Sequence, residues 1–283
     1  MIRATIPDER LIIRPIGDHL YNDPAWIAAV QHEVYDVLDT LGPASKRLGI
    51  IGHAKDHSSY YLTIFPGYEV LNVAGVTSPT GELINATEIR EAILANNRAK
   101  IEYIPHAVRE RVTALLPTAP LQAVIQENIF AKAYKAQWRS TPFPVTFNTV
   151  DAVVQQSGHV LMVIRKEQPG LGMLALPGGF LKQDETLLDG ALRELNEETQ
   201  IDVPRRVLLG AKKSERTFDD PHRSSRGRTI THAFRFDLSE KRLPNVKGGD
   251  DAAAARWVPL ADIRPETCFE DHAYIIRTML GVS

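Results

Sequence analysis

The chain has 283 residues, enough for two ordinary domains, and its 43% hydrophobic and 24% charged residues exclude global disorder. A formal net charge of −2 removes the electrostatic case for nucleic acid or an anionic membrane as the main partner. Cys268 is the single cysteine, which excludes an intrachain disulfide and a multi-cysteine zinc site and fits a reducing compartment.

The amino terminus, MIRATIPDERLIIRP, carries charges where a signal peptide needs an apolar core. No apolar run approaches the ~20 residues that span a bilayer, so a cytoplasmic protein without membrane contact is expected. RLIIRPI (10–16) reads as a buried strand and DPAWIAAVQHEVYDVLDTLG (23–42) as a helix closed by Gly42. RLGIIGH (47–53) and YEVLNVAG (68–75) read as further strands. NATEIREAILANN (85–97) reads as a helix capped by Asn85 or Thr87. Strands alternating with helices predict a parallel α/β sheet.

The pattern breaks at LLPTAP (115–120), a helix follows from about Leu121 to Trp138, and STPFP (140–144) breaks the chain again. The expected organisation is an α/β domain over 1–118, a connecting helix and linker over 119–143, and a second domain over 144–283. In the second domain FNTVDAVVQQ and HVLMVIRK read as strands joined by a Ser-Gly turn. RRVLLGAKKSERTF, GRTITHAFRFDL and ARWVPLADI continue the β texture, and DHAYIIRTML closes the chain as a helix. One helix among several mixed strands predicts an α+β fold.

That helix lies in LPGGFLKQDETLLDGALRELNEETQIDV (176–203), which crowds Asp184, Glu185, Asp189, Glu194, Glu197 and Glu198 behind a Pro-Gly-Gly turn. Taking Glu185 to Thr199 as helical puts Glu194 and Glu198 one turn apart on one face, with Glu197 beside them. Leu188, Leu192 and Leu195 fall on another face, free to pack on a sheet. Like charges at these spacings destabilise an isolated helix by a few tenths of a kcal/mol per pair, and Gly190 costs roughly another 1 kcal/mol against alanine. A solvated acidic face explains neither the glycine nor the turn ahead of it. Oxygen ligands collecting a hard divalent cation explain both, since Mg²⁺ takes a few carboxylates and completes its shell with water and substrate phosphate.

These residues resemble the Nudix box: Gly179, five residues, Glu185, seven residues, Arg193-Glu194, an aliphatic, any residue, then Glu197-Glu198. Gln200 stands where that pattern has glycine, a departure that touches loop geometry. The resemblance implies a Mg²⁺-dependent hydrolase of a nucleoside diphosphate linked to another group, with Mn²⁺ able to replace Mg²⁺. It implies Glu194, Glu198 and the Gly178 carbonyl as metal ligands and Glu197 as ligand or water-activating base. Arg193 would orient the glutamates, and Glu185 would brace the loop.

Downstream, SERTFDDPHRSSRGRTITHAF places Arg223, Arg226 and Arg228 around a glycine. They are candidates for phosphate or ribose contacts, with Phe218 as a base-stacking ring. A solvated basic loop is the competing reading, and no wider basic field or aromatic platform supports nucleic-acid binding. This segment, KGGDDAAAARWVPL and FEDHAYII are similar to the Nudix half of bifunctional nicotinamide mononucleotide adenylyltransferase/ADP-ribose pyrophosphatases. The resemblance implies ADP-ribose as substrate, giving AMP and ribose 5-phosphate in NAD metabolism. Glu270 is the carboxylate outside the box with the chemistry of a base, against a plainer role for Glu270 and Asp271 as caps of the last helix. Asp250 and Asp251 read as turn residues.

The resemblance extends to the first domain, through GDHLYNDPAWIAAVQ, IGHAKDHSSYYLTIFP and INATEIR. It implies a Rossmann-like nucleotidyltransferase remnant followed by a Nudix α/β/α sandwich. Asp23 and Trp26 would correspond to nicotinamide-nucleotide contacts, Lys55 to a phosphate contact, and Thr87 with Arg90 to a phosphate-binding helix start. The family's opening histidine turn does not occur in this sequence, so no transferase activity is expected of the chain as given; a start further upstream would restore the bifunctional enzyme. A non-catalytic ADP-ribose sensor is the alternative from another class, and a homodimer is compatible with the family.

Overall fold

The computed structural model describes residues 1–283 apart from 42–46, 55, 56, 79, 80, 82, 96–101, 239–241, 250, 251 and 283. The chain divides into two compact units, Met1–Ile125 and Gln126–Ser283. The division falls inside a helix rather than in the breaks on either side of it. Lys55, Gly42, Asp250 and Asp251 lie outside the described residues.

The first unit begins with a one-turn helix α1 (Ile2–Thr5), followed by α2 (Asp23–Leu41), β1 (Gly49–Gly52), a 3₁₀ turn (His57–Leu62) and β2 (Glu69–Asn72). The helices α3 (Ala86–Leu94) and α4 (His106–Leu115) complete it. β1 and β2 pair in parallel, Gly49 opposite Glu69, as the alternation of elements predicts. Asn85 is the cap of α3, its side chain accepting from the Thr87 amide at 2.9 Å. The strand expected over 10–16 does not form. Those residues are irregular, and Ile12, Ile13 and Ile16 stay 40–47% exposed. An apolar run becomes a strand only where a neighbouring backbone pairs with it. Pro15 removes one donor, and among the described residues no strand of this unit lies beside it. The helix α4 carries no strong periodic signal and was not foreseen.

The helix α5 (Ala119–Gln137) leads into the second unit, a mixed sheet in the order β5-β4-β3-β8-β7, with β6 on β3 and β9 on β4. Its strands are β3 (Phe147–Gln156), β4 (His159–Arg165), β5 (Leu174–Ala175), β6 (Gly178–Phe180), β7 (Lys212–Phe218), β8 (Thr229–Asp237) and β9 (Ala252–Pro259). β3 and β4 are antiparallel about Ser157 and Gly158, both at positive φ, which is the turn read from Ser-Gly. β3 also pairs in parallel with β8, from Phe147 opposite Thr229 to Gln155 opposite Asp237.

The helices α6 (Leu187–Thr199) and α7 (Arg205–Ala211) cover one face of this sheet. Ala191, Leu192 and Leu195 pack with Leu208 and Ala211 against Val150, Ala152, Val154, Phe234 and Phe236. Each leucine sealed there contributes roughly 1.5–3 kcal/mol. α8 (His272–Leu280) contacts β7 and β8 and buries Ala273, Ile275, Ile276 and Met279, so a helix α8 completes the α/β/α sandwich. RRVLLGA, expected as strand, is the helix α7: Pro204 fixes its start, and Leu208 and Ala211 sit three apart on the buried face, a helical spacing. Among the described residues no helix is long and apolar enough to cross a membrane.

Candidate active site

The acidic helix begins two residues later than the charge pattern suggested. Thr186 is its N-cap, accepting from the Asp189 amide at 3.2 Å while its hydroxyl donates to the Asp189 carboxylate at 2.7 Å. Glu185 therefore lies ahead of the helix. At the other end Gln200 caps in the left-handed conformation, φ 43°, the place where glycine is unstrained. The helix ends at Gln200 because its left-handed backbone turns the chain away after the last i→i−4 bond, from the Gln200 amide to the Asn196 carbonyl at 2.9 Å.

Glu185 and Arg193 form the frame of the site. Arg193 donates from Nε to Glu185 Oε2 at 2.9 Å and from Nη2 to Glu185 Oε1 at 2.7 Å. Its Nη1 reaches Glu194 at 2.7 Å and Glu197 at 2.8 Å, and the Lys182 amide donates to Glu185 Oε1 at 2.9 Å. One guanidinium thus ties the loop carboxylate to two helix carboxylates. Gly190 suits this frame, since a Cβ there would come to 3.0 Å from both Glu185 Oε1 and Leu181 Cδ1 and one of them would have to shift. Gly179 is required by the next turn, where a Cβ would meet Glu194 Oε1 at 2.5 Å.

Hydrogen bonds from Arg193 lower the Glu185 pKa to about 2 from 4.5. A depressed carboxylate contributes stability that is complete above its unfolded pKa and lost as the pH falls through the folded value. The wild-type second unit is therefore expected to lose stability between about pH 4.5 and pH 2. Glu185→Gln should be less stable than wild type at pH 7 and lack that part of the acid slope. Urea midpoints measured across this range check it, and parallel wild-type and variant curves would refute the assignment.

Glu194 and Glu198 line a cavity of about 390 Å³ together with Gly178, Gly179 and Asp151. The Gly178 amide donates to Glu198 Oε2 at 3.0 Å. Burial drives the Glu198 carboxyl up to about 8, with Glu194 and Asp151 adding repulsion, and burial also raises Glu194 against the pull of Arg193. Asp151 is itself buried and accepts from the Thr231 hydroxyl at 2.5 Å. Carboxylates are thus gathered in a desolvated pocket where burial and mutual repulsion outweigh the pull of Arg193 on Glu194 and of Arg165 on Glu198, a situation a bound divalent cation relieves. Among the described residues no group of three or more His, Cys, Asp or Glu side chains converges to hold a metal. Two carboxylates are a sufficient protein contribution for Mg²⁺, whose remaining positions go to water and phosphate. The residues therefore fit a hard divalent cation. Glu197 is turned to Arg193 and does not line the cavity.

The far wall carries Glu270, at φ 44°, whose Oε1 accepts from the Ser224 hydroxyl at 2.7 Å and the Ser225 amide at 3.2 Å. Its Oε2 has no hydrogen-bond partner and lies 3.7 Å from Arg226 Nη2. Burial raises the Glu270 pKa, opposed by Arg226. Arg226 lines the cavity over the rings of Phe180 and Phe269, at 5.3 and 5.7 Å.

The other downstream candidates fare differently. Arg223 reaches the cavity wall, but its side chain is 3% exposed and locked to Asp271 by hydrogen bonds of 3.0 and 2.8 Å, so the guanidinium is committed inside the protein. Asp271 is spent on that pair and makes no side-chain cap to α8, which corrects the capping role considered for it. Phe218 is 1% exposed on β7, so it cannot stack on a base. It is the one buried position of β7, at the end of that strand opposite Thr231 of β8. Arg228 donates to the Asp219 carbonyl and does not line the cavity. In the first unit Trp26 packs at 5.8 Å from Phe65 on α2, where Asp23 is the exposed first residue, and Arg90 donates to the Thr87 hydroxyl at 3.3 Å on α3.

Sequence reading missed Asp151 and His272. Asp151 had a signal, a lone carboxylate inside the apolar strand FNTVDAVV. His272 is buried and neutral, its pKa lowered by burial, and its Nδ1 accepts from the Leu176 amide at 2.8 Å. Phe130 and Tyr134 of α5 also line the cavity and also escaped notice.

The NUDIX domain family matches residues 145–279. The chain is 34% identical over 128 residues to the ADP-ribose pyrophosphatase of Methanocaldococcus jannaschii, covering 45% of this chain and 69% of that protein. The crystal structure of a bifunctional NMN adenylyltransferase/ADP ribose pyrophosphatase from Francisella tularensis superposes with a TM-score of 0.84 at 33% identity, over 95% of this chain and 78% of that one. A second structure of that description, complexed with AMP and a Mn ion, gives a TM-score of 0.82 at 32% identity, with the same 95% and 78% coverage.

Proposed function

Because the chain belongs to the family of bifunctional NMN adenylyltransferase/Nudix ADP-ribose pyrophosphatases, we propose that its cavity cleaves the pyrophosphate of ADP-ribose into AMP and ribose 5-phosphate. It is a Nudix hydrolase, and such enzymes use a divalent metal. Mg²⁺ is the ion we assign, with Mn²⁺ as a substitute. The observation that carries the reading is the pair Glu194 and Glu198 on the wall of a desolvated cavity, Glu194 held by Arg193 and Glu198 by the Gly178 amide.

Glu194 and Glu198 would hold the ion, which when bound neutralises the pyrophosphate and lowers the pKa of a coordinated water. Arg193 keeps Glu194 in place by sharing its guanidinium with Glu185 and Glu197, so the ligand face is set before substrate arrives. The proton of the attacking water goes to Glu270, at Oε2. That oxygen lacks a hydrogen-bond partner, and the carboxyl's raised pKa brings it nearer neutrality, where a general base is effective. Glu197, tied to Arg193 and off the cavity wall, is the less suited of the two base candidates. Arg226 sits where it can receive negative charge on the outer phosphate.

The test is hydrolysis across a panel of ADP-ribose, NADH, flavin dinucleotide and diadenosine compounds with Mg²⁺, repeated with EDTA. AMP release from ADP-ribose should lead the panel and stop on chelation. Tight ADP-ribose binding with nothing cleaved would instead favour a sensor. The 95% coverage by the Francisella structure also supports a nucleotidyltransferase relationship for the first unit. Adenylyl transfer from ATP to NMN is assayed on the same preparation.

A further inference from the structure

The family match begins at residue 145, yet two rings of the cavity wall come from earlier in the chain, Phe130 and Tyr134 on α5. They are four apart, so they stand one above the other on a single helix face, and their centroids lie 6.0 Å apart with planes 29° from parallel. Tyr134 continues a row of rings: 5.7 Å to Phe147, which lies 5.8 Å from Phe180. Phe180 directly follows Gly178 and Gly179, the turn that touches Glu198 and Glu194. The aromatic row thus starts beside the carboxylates at Phe180, passes behind the cavity wall at Phe147, and returns to the cavity at Tyr134 and Phe130.

Packing of α5 on the sheet accounts for Trp138 and Phe147, which meet edge-on at 5.4 Å and do not line the cavity. It accounts for one side of Tyr134, which meets Phe147 at 5.7 Å and Trp138 at 6.4 Å, but both Phe130 and Tyr134 stay half-buried and also line the cavity. A diphosphate seated on Glu194 and Glu198 carries two flanking groups, of which only a nucleobase is flat and apolar on its faces. We infer that Phe130 and Tyr134 form the seat of the substrate's base, so that α5, outside the recognised domain, completes the second unit's binding site and sets its preference for a nucleotide over a base-free diphosphate. Arg226, over Phe180, marks the passage between the base seat and the phosphates. This rests on the hydrolase reading above for the position of the diphosphate.

The experiment uses the full chain with Tyr134→Leu, Phe130→Leu and Tyr134→Phe, each checked for an unchanged melting profile. Trp138→Leu is the control for packing alone. KM and kcat for ADP-ribose are measured, and AMP and ribose 5-phosphate are titrated calorimetrically with Mn²⁺. Losing a stacking ring is expected to raise KM about tenfold to a hundredfold, with the loss carried by KM rather than kcat. AMP affinity falls alongside while ribose 5-phosphate affinity holds, Tyr134→Phe, which keeps the ring, loses far less than Tyr134→Leu, and Trp138→Leu leaves both constants alone. The inference is overturned if both leucine variants keep KM and AMP affinity within twofold of wild type. It is equally overturned if AMP and ribose 5-phosphate weaken together, or if Trp138→Leu has the same effect. A wild-type protein that hydrolyses nothing, but whose AMP affinity falls in the leucine variants, defeats the hydrolase reading and leaves the base seat standing.

Discussion

Glu198→Gln is expected to reduce ADP-ribose turnover by at least about a hundredfold while leaving the fold intact. A bound cation supplies several kcal/mol of charge stabilisation in the transition state, and each ~1.36 kcal/mol is tenfold in rate. Glutamine keeps the length and shape of the side chain, and its amide oxygen can still accept from the Gly178 amide, which now reaches Glu198 Oε2 at 3.0 Å. What it removes is the charge that burial already disfavours, a carboxyl driven up to about 8. The melting temperature in EDTA should therefore be unchanged or higher, in contrast to most core substitutions. Steady-state kinetics in Mg²⁺ and a melt in EDTA are the two readouts. Turnover within about threefold of wild type would remove Glu198 from the metal site.

Breaking the Arg223–Asp271 pair is expected to be the most damaging single change to stability, about 3–5 kcal/mol for either Arg223→Ala or Asp271→Ala. Both side chains are almost wholly buried, 3% and 2% exposed, and the contact is bidentate. Removing one partner strands the other's charge in the interior, and the stranded charge dominates the cost. The double change Arg223→Met with Asp271→Leu should recover most of the loss, because it strands nothing. Asp271 directly follows Glu270, which sits at φ 44°, so the pair anchors the backbone on the C-terminal side of that residue. Native-state hydrogen exchange of the β3 and β8 amides reads the second unit alone. Single variants within 1 kcal/mol of wild type, or a double variant no better than the singles, would show that the pair is not what holds this corner.

The candidate site was legible in the sequence to unequal depth. The frame of Glu185, Arg193, Glu194 and Glu198 could be read because it is local: a glycine turn and one helix hold all of it, and helical spacing alone puts Glu194 beside Glu198. The partners from elsewhere could not. Arg223, Arg226 and Arg228 are alike as sequence, three arginines around a glycine. One is sealed against Asp271, one faces the cavity and one binds a loop carbonyl. From its place beside the arginines Phe218 reads as a stacking ring, but β7 is an edge strand of mostly exposed residues whose last position, Phe218, is buried.

The first unit shows the same division in its fold. Helix α2 follows from periodicity along its own length, and α3 from its Asn85 cap. The apolar run 10–16 was no guide, because a strand is defined by its neighbour's backbone. What the amino-acid sequence determined by itself was therefore the set of helices with clear periodicity and caps, the β texture of the second unit, and the acidic helix with its bracing arginine. Tertiary structure alone decided which arginine is buried and which faces the cavity, that Asp151 and His272 join the cavity wall, and that two rings from α5 reach it. Short-range spacing fixes contacts within one element, whereas contacts between elements depend on sheet order and register, which place residues 130 and 270 on the walls of one cavity.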